Sequence, residues 1–97
     1  MLIIAGTFEV DPARRDEFIA GREAGMRESR AEAGCIDYVM SADPIEPGRV
    51  CLFERWESKE HLARVSAPPP PSDTPAVPIL SFDVQQYEIA SVGPVGS

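Results

Sequence analysis

The sequence has no asparagine, one lysine, one histidine, one tryptophan and two cysteines in 97 residues. Basic residues are scarce, nine Lys and Arg against sixteen Asp and Glu, giving a formal charge of −7. A field of that sign repels phosphate backbones and anionic lipid, which excludes nucleic acid and membrane surfaces as partners. No apolar run approaches the roughly 20 residues that cross a bilayer. There is no cluster of metal ligands, no Gly-rich phosphate loop and no cysteine with a histidine near it, so metalloenzyme, kinase and hydrolase readings drop out. The start, Met1-Leu2-Ile3-Ile4, lacks the basic stretch of a secretory signal and runs straight into alternating residues. The expectation is a cytoplasmic protein.

What is present is a globular composition, 43% hydrophobic and 26% charged. Its length allows one domain, read as residues 1–92 followed by a flexible tail over 93–97. Size scaling gives a folded surface of roughly 5,500 Å², about 64% of the unfolded surface being buried, which is one thin core. Eight arginines against one lysine, with abundant Ala and Pro, point to a GC-rich bacterial genome.

Leu2 to Val10 carries β-branched and aromatic side chains and predicts a first strand. Asp11-Pro12 then supplies a helix N-cap and a proline at the first helical position, where its missing N–H is not needed. Phe18, Ile19, Arg22, Met26 and Ser29 recur at spacings of three and four, so one helix is predicted from Pro12 to about Ala33, closed by Gly34. Gly21 and Gly25 inside it mean either looseness or close backbone approach.

Cys35 to Ala42 and Arg49 to Glu57 predict an antiparallel hairpin around the turn at Asp43-Pro44-Ile45-Glu46-Pro47-Gly48. That register sets Cys51 opposite Ser41 and Cys35 opposite Glu57, roughly 20 Å apart along the ladder. Both thiols should be free. Ser58 caps a short second helix carrying Leu62 and Val65 that fades near Ser66-Ala67. A proline-rich connector over 67–80 follows, and a last strand is predicted between Ile79 and Val92.

The order β-α-β-β-α-β is the α+β, ferredoxin-like arrangement: a four-stranded antiparallel sheet with both helices on one face. On the third strand Cys51 and Phe53 point one way and Val50, Leu52 and Trp56 the other, so both sheet faces are apolar. The economical cover for the bare face is a second copy, which predicts a homodimer through the sheet faces.

Ile4-Ala5-Gly6-Thr7-Phe8-Glu9-Val10-Asp11-Pro12, Arg30-Ala31-Glu32-Ala33-Gly34-Cys35, Ser41-Ala42-Asp43-Pro44 and above all Phe53-Glu54-Arg55-Trp56-Glu57-Ser58 resemble the antibiotic biosynthesis monooxygenase (ABM) family. The resemblance resumes at Gln86-Tyr87-Glu88-Ile89. It implies a dimeric α+β barrel with a small-molecule pocket between sheet and helices in each subunit, in a family whose members oxidise aromatic polyketides without metal or flavin, degrade haem, process a quorum-sensing signal or have no known activity. Relatives that use oxygen pair the strand-three Trp with an Asn, and haem degraders add a later His. This chain has no asparagine, Ser66 stands where that histidine falls, and His61 comes five residues after the Trp. The matching residue is Trp56.

Glu54 and Trp56 share a strand face, and Arg22 lies on the inward stripe of the first helix. Glu54 is therefore a proton acceptor or half of an ion pair with Arg22, according to whether burial or the guanidinium controls it. Trp56 is a stacking floor for an aromatic ligand or core filler. Tyr38 and Tyr87 donate a phenolic proton to a substrate or bind a backbone carbonyl or water. His61 is a general base or a solvated helix residue. The site so assembled has Glu54 and His61 as catalytic candidates, with Trp56, Tyr38, Arg22 and Phe8 around a small aromatic substrate and neither metal nor cofactor. The corresponding function is cofactor-independent monooxygenation of an aromatic or quinol-like molecule, the alternative being a non-catalytic dimeric ligand-binding or interaction module.

Overall fold

The computed structural model describes residues 1–63 and 77–96. Four strands, β1 (Leu2–Glu9), β2 (Cys35–Ala42), β3 (Arg49–Trp56) and β4 (Ser81–Glu88), form one antiparallel sheet in the order β2-β3-β1-β4. A 3₁₀ turn (Pro12–Arg14) and helices α1 (Arg15–Ala20) and α2 (Glu23–Arg30) join β1 to β2, and α3 (Lys59–Ala63) follows β3. α1 and α2 pack over β2 and β3, and α3 packs on β3. This is the predicted α+β, ferredoxin-like arrangement. Among the described residues no helix is long and apolar enough to cross a membrane.

The punctuation works as its chemistry requires. The Asp11 carboxylate accepts from the Ala13 N–H at 2.9 Å, with Pro12 just inside the cap. Gly34 takes φ +87°, a left-handed conformation that side chains resist, and a Cβ there would also collide with the His61 ring. The long helix predicted from Pro12 to Ala33 is interrupted: α1 ends at Ala20 and α2 begins at Glu23. The Arg22 N–H reaches back three residues to the Ile19 carbonyl, the tighter bonding of a 3₁₀ turn. A Cβ at Gly25 would touch nothing and one at Gly21 only ordinary contacts, so these glycines reflect looseness rather than close approach.

The hairpin pairs Ser41 with Cys51, as the sequence predicts. At the other end the register shifts at Ile36, so Cys35 lies opposite Trp56 instead of Glu57. One extra residue on β2 makes this bulge and turns Cys35 to the inner face. Both thiols are free. Asp43 Oδ1 accepts from the Ile45 and Glu46 amides, closing the turn. Arg15 of α1 then staples it, donating from Nη1 to the Asp43 carbonyl at 3.0 Å and the Glu46 carbonyl at 2.8 Å.

Val10, Phe18, Met40, Val50, Leu52 and Val77 form the buried core between helices and sheet. β2, an edge strand, is latched by α2 at two points: Arg30 Nε donates to the Tyr38 carbonyl at 2.7 Å, and the Met40 amide donates to Met26 Sδ at 3.3 Å. β4 is shorter than the predicted Ile79–Val92 strand, and every residue of it but Val84 is exposed. Of the predicted connector only residues 77–80 are described; its remainder, and the fading of the second helix near Ser66, lie outside the described residues.

Candidate functional site

Alternation along β3 places Val50, Leu52, Glu54 and Trp56 on the inner face under the helices. The register then builds two rows across that face. One runs Tyr38, Glu54, Ile4, Gln86; the next runs Cys35, Trp56, Leu2, Glu88. Trp56 is 0% exposed and Glu54 8%. Side chains two residues apart on a strand lie on one face within reach of each other. Here they bond: the Trp56 indole Nε1–H donates to Glu54 Oε1 at 3.0 Å.

Burial pushes the Glu54 carboxyl up from the ordinary glutamate range, while the indole N–H, which favours the ionised form, opposes the shift. Two neighbours feel this group. The Tyr38 hydroxyl is pushed up first by burial and then by the Glu54 charge, with Arg22 pulling the other way. The Cys35 thiol is pushed up by burial and then by Glu54 and Asp37. Glu54, Trp56, Tyr38 and Cys35 are thus one electrostatic unit.

The other predicted residues fall elsewhere. Arg22 makes no ion pair with Glu54; its guanidinium lies 5.0 Å over the Phe18 ring. Phe18 in turn meets Phe8 edge to face, ring centroids 6.2 Å apart, so Phe8 and Arg22 flank a neighbouring aromatic pair. His61 belongs to a separate cluster: its Nδ1 is 2.7 Å from Ser58 Oγ, its Nε2 4.0 Å from the Glu57 carboxylate, and its ring rests on Gly34. Tyr87, opposite Ile3, is on the outer face and 48% exposed. Cys35 is the member that the sequence reading missed, because alternation alone gives no sign of the bulge at Ile36.

Among the described residues two open grooves are formed. The larger, about 510 Å³, is lined by Arg30, Ile36, Asp37, Tyr38, Val39 and Phe53 along the β2–β3 edge; a second of about 320 Å³ lies beside Leu2, Ser58, Lys59 and Glu88. Neither has Glu54 or Trp56 in its wall. Among the described residues no three His, Cys, Asp or Glu side chains are placed to hold a metal ion.

The family model for antibiotic biosynthesis monooxygenases matches residues 1–68, which contain the whole Glu54–Trp56 unit. The chain belongs to the antibiotic biosynthesis monooxygenase family. Solved ABM-like structures share its fold over nearly the full length. A candidate antibiotic biosynthesis monooxygenase from Deinococcus radiodurans superposes with a TM-score of 0.78 at 17% identity, covering 100% of both chains. A Shewanella oneidensis protein gives 0.72 at 23% identity, covering 89% of this chain and 87% of its own. An uncharacterised protein of Synechocystis sp. is 34% identical over 61 residues, 63% of this chain and 42% of the relative, so the match spans less than half of that longer protein. Membership gives the chain the scaffold and a general ABM-type function.

Proposed function

We propose that this ABM domain carries out cofactor-independent monooxygenation of an aromatic or quinol-like molecule bound between sheet and helices. The observation that carries the reading is the buried Glu54 carboxyl, held by an indole and pushed up from the ordinary glutamate range by burial. A carboxylate made more basic in this way suits proton abstraction from an acidic C–H. Glu54 takes the proton, and the substrate carbanion passes its electrons to O₂. The carbanion and O₂ join in a carbon–oxygen bond, Glu54 returns its proton to the distal oxygen to give a hydroperoxide, and cleavage of the O–O bond with loss of the second C–H proton releases water and leaves a carbonyl. Tyr38, opposite Glu54 on β2, supplies a hydroxyl for the substrate oxygen. The test is O₂ uptake with anthrone-like quinols: turnover is expected in air, absent under nitrogen, and lost in Glu54→Gln.

A second reading has its own observation. Trp56 and Glu54 are buried and bonded to each other, which suits a retained core in a domain that binds a small ligand without turning it over. Ligand binding with no O₂-dependent turnover leaves only this reading.

In either case we propose that the working unit is a homodimer through the outer sheet faces. Val39, Phe53 and Tyr87 are 38%, 37% and 48% exposed on that face, with the Arg55–Asp37 ion pair among them. Light scattering should report twice 10.6 kDa at micromolar concentration; a 10.6 kDa particle there sinks the dimer.

A further inference from the structure

An indole has one polar atom, and that atom only donates. In Trp56 it is used, because Nε1–H points at Glu54 Oε1 at 3.0 Å and the ring has no exposed surface with which to line a pocket. A donor-only partner requires Oε1 to stay an acceptor, so any proton that Glu54 gains or releases sits on Oε2. Among the described residues the indole is also the one hydrogen-bond partner recorded for this carboxyl. Across the sheet its neighbour on β1 is Ile4, which carries no charge, and on β2 it faces Tyr38 and Cys35. Of the helix cations, Arg22 acts on Tyr38 and lies over the Phe18 ring, and Arg30 acts on Cys35 and bonds the Tyr38 carbonyl.

We infer that Trp56 is the positioning residue for Glu54: its N–H fixes the carboxyl on the inner sheet face, reserves Oε1 for the bond and leaves Oε2 to exchange the proton. The inference rests on the proposed role of Glu54 as proton acceptor, and it deepens that role. It assigns the Glu-x-Trp spacing of β3 a chemical function distinct from packing and from stacking on a ligand. A hydrogen bond to the ionised form lowers the cost of ionising a buried acid. Removing the donor should therefore make Glu54 hold its proton to higher pH.

The experiment is a carboxyl ¹³C NMR titration of Glu54 in three folded proteins: wild type, Trp56→Phe, and the chain with 3-benzothienylalanine at position 56. The last keeps the ring shape and replaces N–H by sulfur, so it decides the matter even where Phe leaves a packing gap. The Glu54 midpoint is expected to rise by about one pH unit in both replacements. In the wild type the emission of the single tryptophan should change with the same midpoint, and that change should vanish in Glu54→Gln. An unmoved midpoint in the benzothienyl protein overturns the assignment, because a residue that only fills space predicts no change. None of these readouts needs turnover. The midpoint shift without O₂ uptake in the wild type would sink the oxygenase reading and leave Trp56 as assigned, and uptake with an unmoved midpoint would do the reverse.

Discussion

The two faces of β3 have the same alternation and opposite surroundings. Inward, Val50, Leu52, Glu54 and Trp56 are 0%, 6%, 8% and 0% exposed beneath helices that belong to the same chain. Outward, Cys51 and Arg55 are half-buried and Phe53 is exposed, with no element of the chain above them among the described residues. The dry face tolerates a carboxyl only because an indole satisfies it, whereas the open face holds its charges as an ordinary ion pair between Arg55 and Asp37 at 2.8 Å. Burial from within the chain thus raises the proton affinity of Glu54, whereas the outer face has no such cover among the described residues.

Substitutions on the two faces should separate these roles. The largest effect is expected inward: Trp56→Ala removes a fully buried ring and should cost about 3–5 kcal/mol in urea unfolding. Much of the stability of a domain this small would go with it. Next, Phe53→Arg should convert the dimer to monomer by light scattering while circular dichroism of the protomer stays unchanged; a variant that remains dimeric would dissociate the outer face from assembly.

Glu54→Gln tests the inner face by pH. Folding raises the proton affinity of Glu54, so its contribution to stability is fully present below the unfolded value and is lost as pH rises through the folded one. Wild-type stability should fall across that window relative to Glu54→Gln, and parallel curves would contradict a buried, proton-hungry carboxyl. Asp43, Glu60 and Glu88 shift downward and act in the opposite direction, but equally in both proteins. The smallest effect should come from the wet cluster: Ser58→Ala loses the cap to the His61 N–H, about 1 kcal/mol, and leaves the Glu54 titration in place.

The strands, the caps at Asp11 and Ser58, the left-handed Gly34 and the separated thiols were legible because each follows from local chemistry. The placement of Glu54 and Trp56 on one face was legible for the same reason, since a period of two fixes it. The choice of partner was not. Arg22 competes for Glu54 on paper, yet the interruption at Gly21-Arg22 and the Phe18 ring beneath it direct the guanidinium elsewhere, and no sequence period encodes that. The Ile36 bulge was equally hidden, and with it the arrival of Cys35 beside Glu54. Arg15 drew no notice because a stapling arginine looks like any other charge on an exposed helix turn.

The latch of Arg30 and Met26 on β2 carries a consequence for how such chains crowd together. Runaway stacking of sheets into fibrils requires two receptive margins on every unit, one to dock and one to be docked upon. Arg30 and Met26 take up a carbonyl and an amide of the β2 margin, so a stranger that pairs there must first displace them.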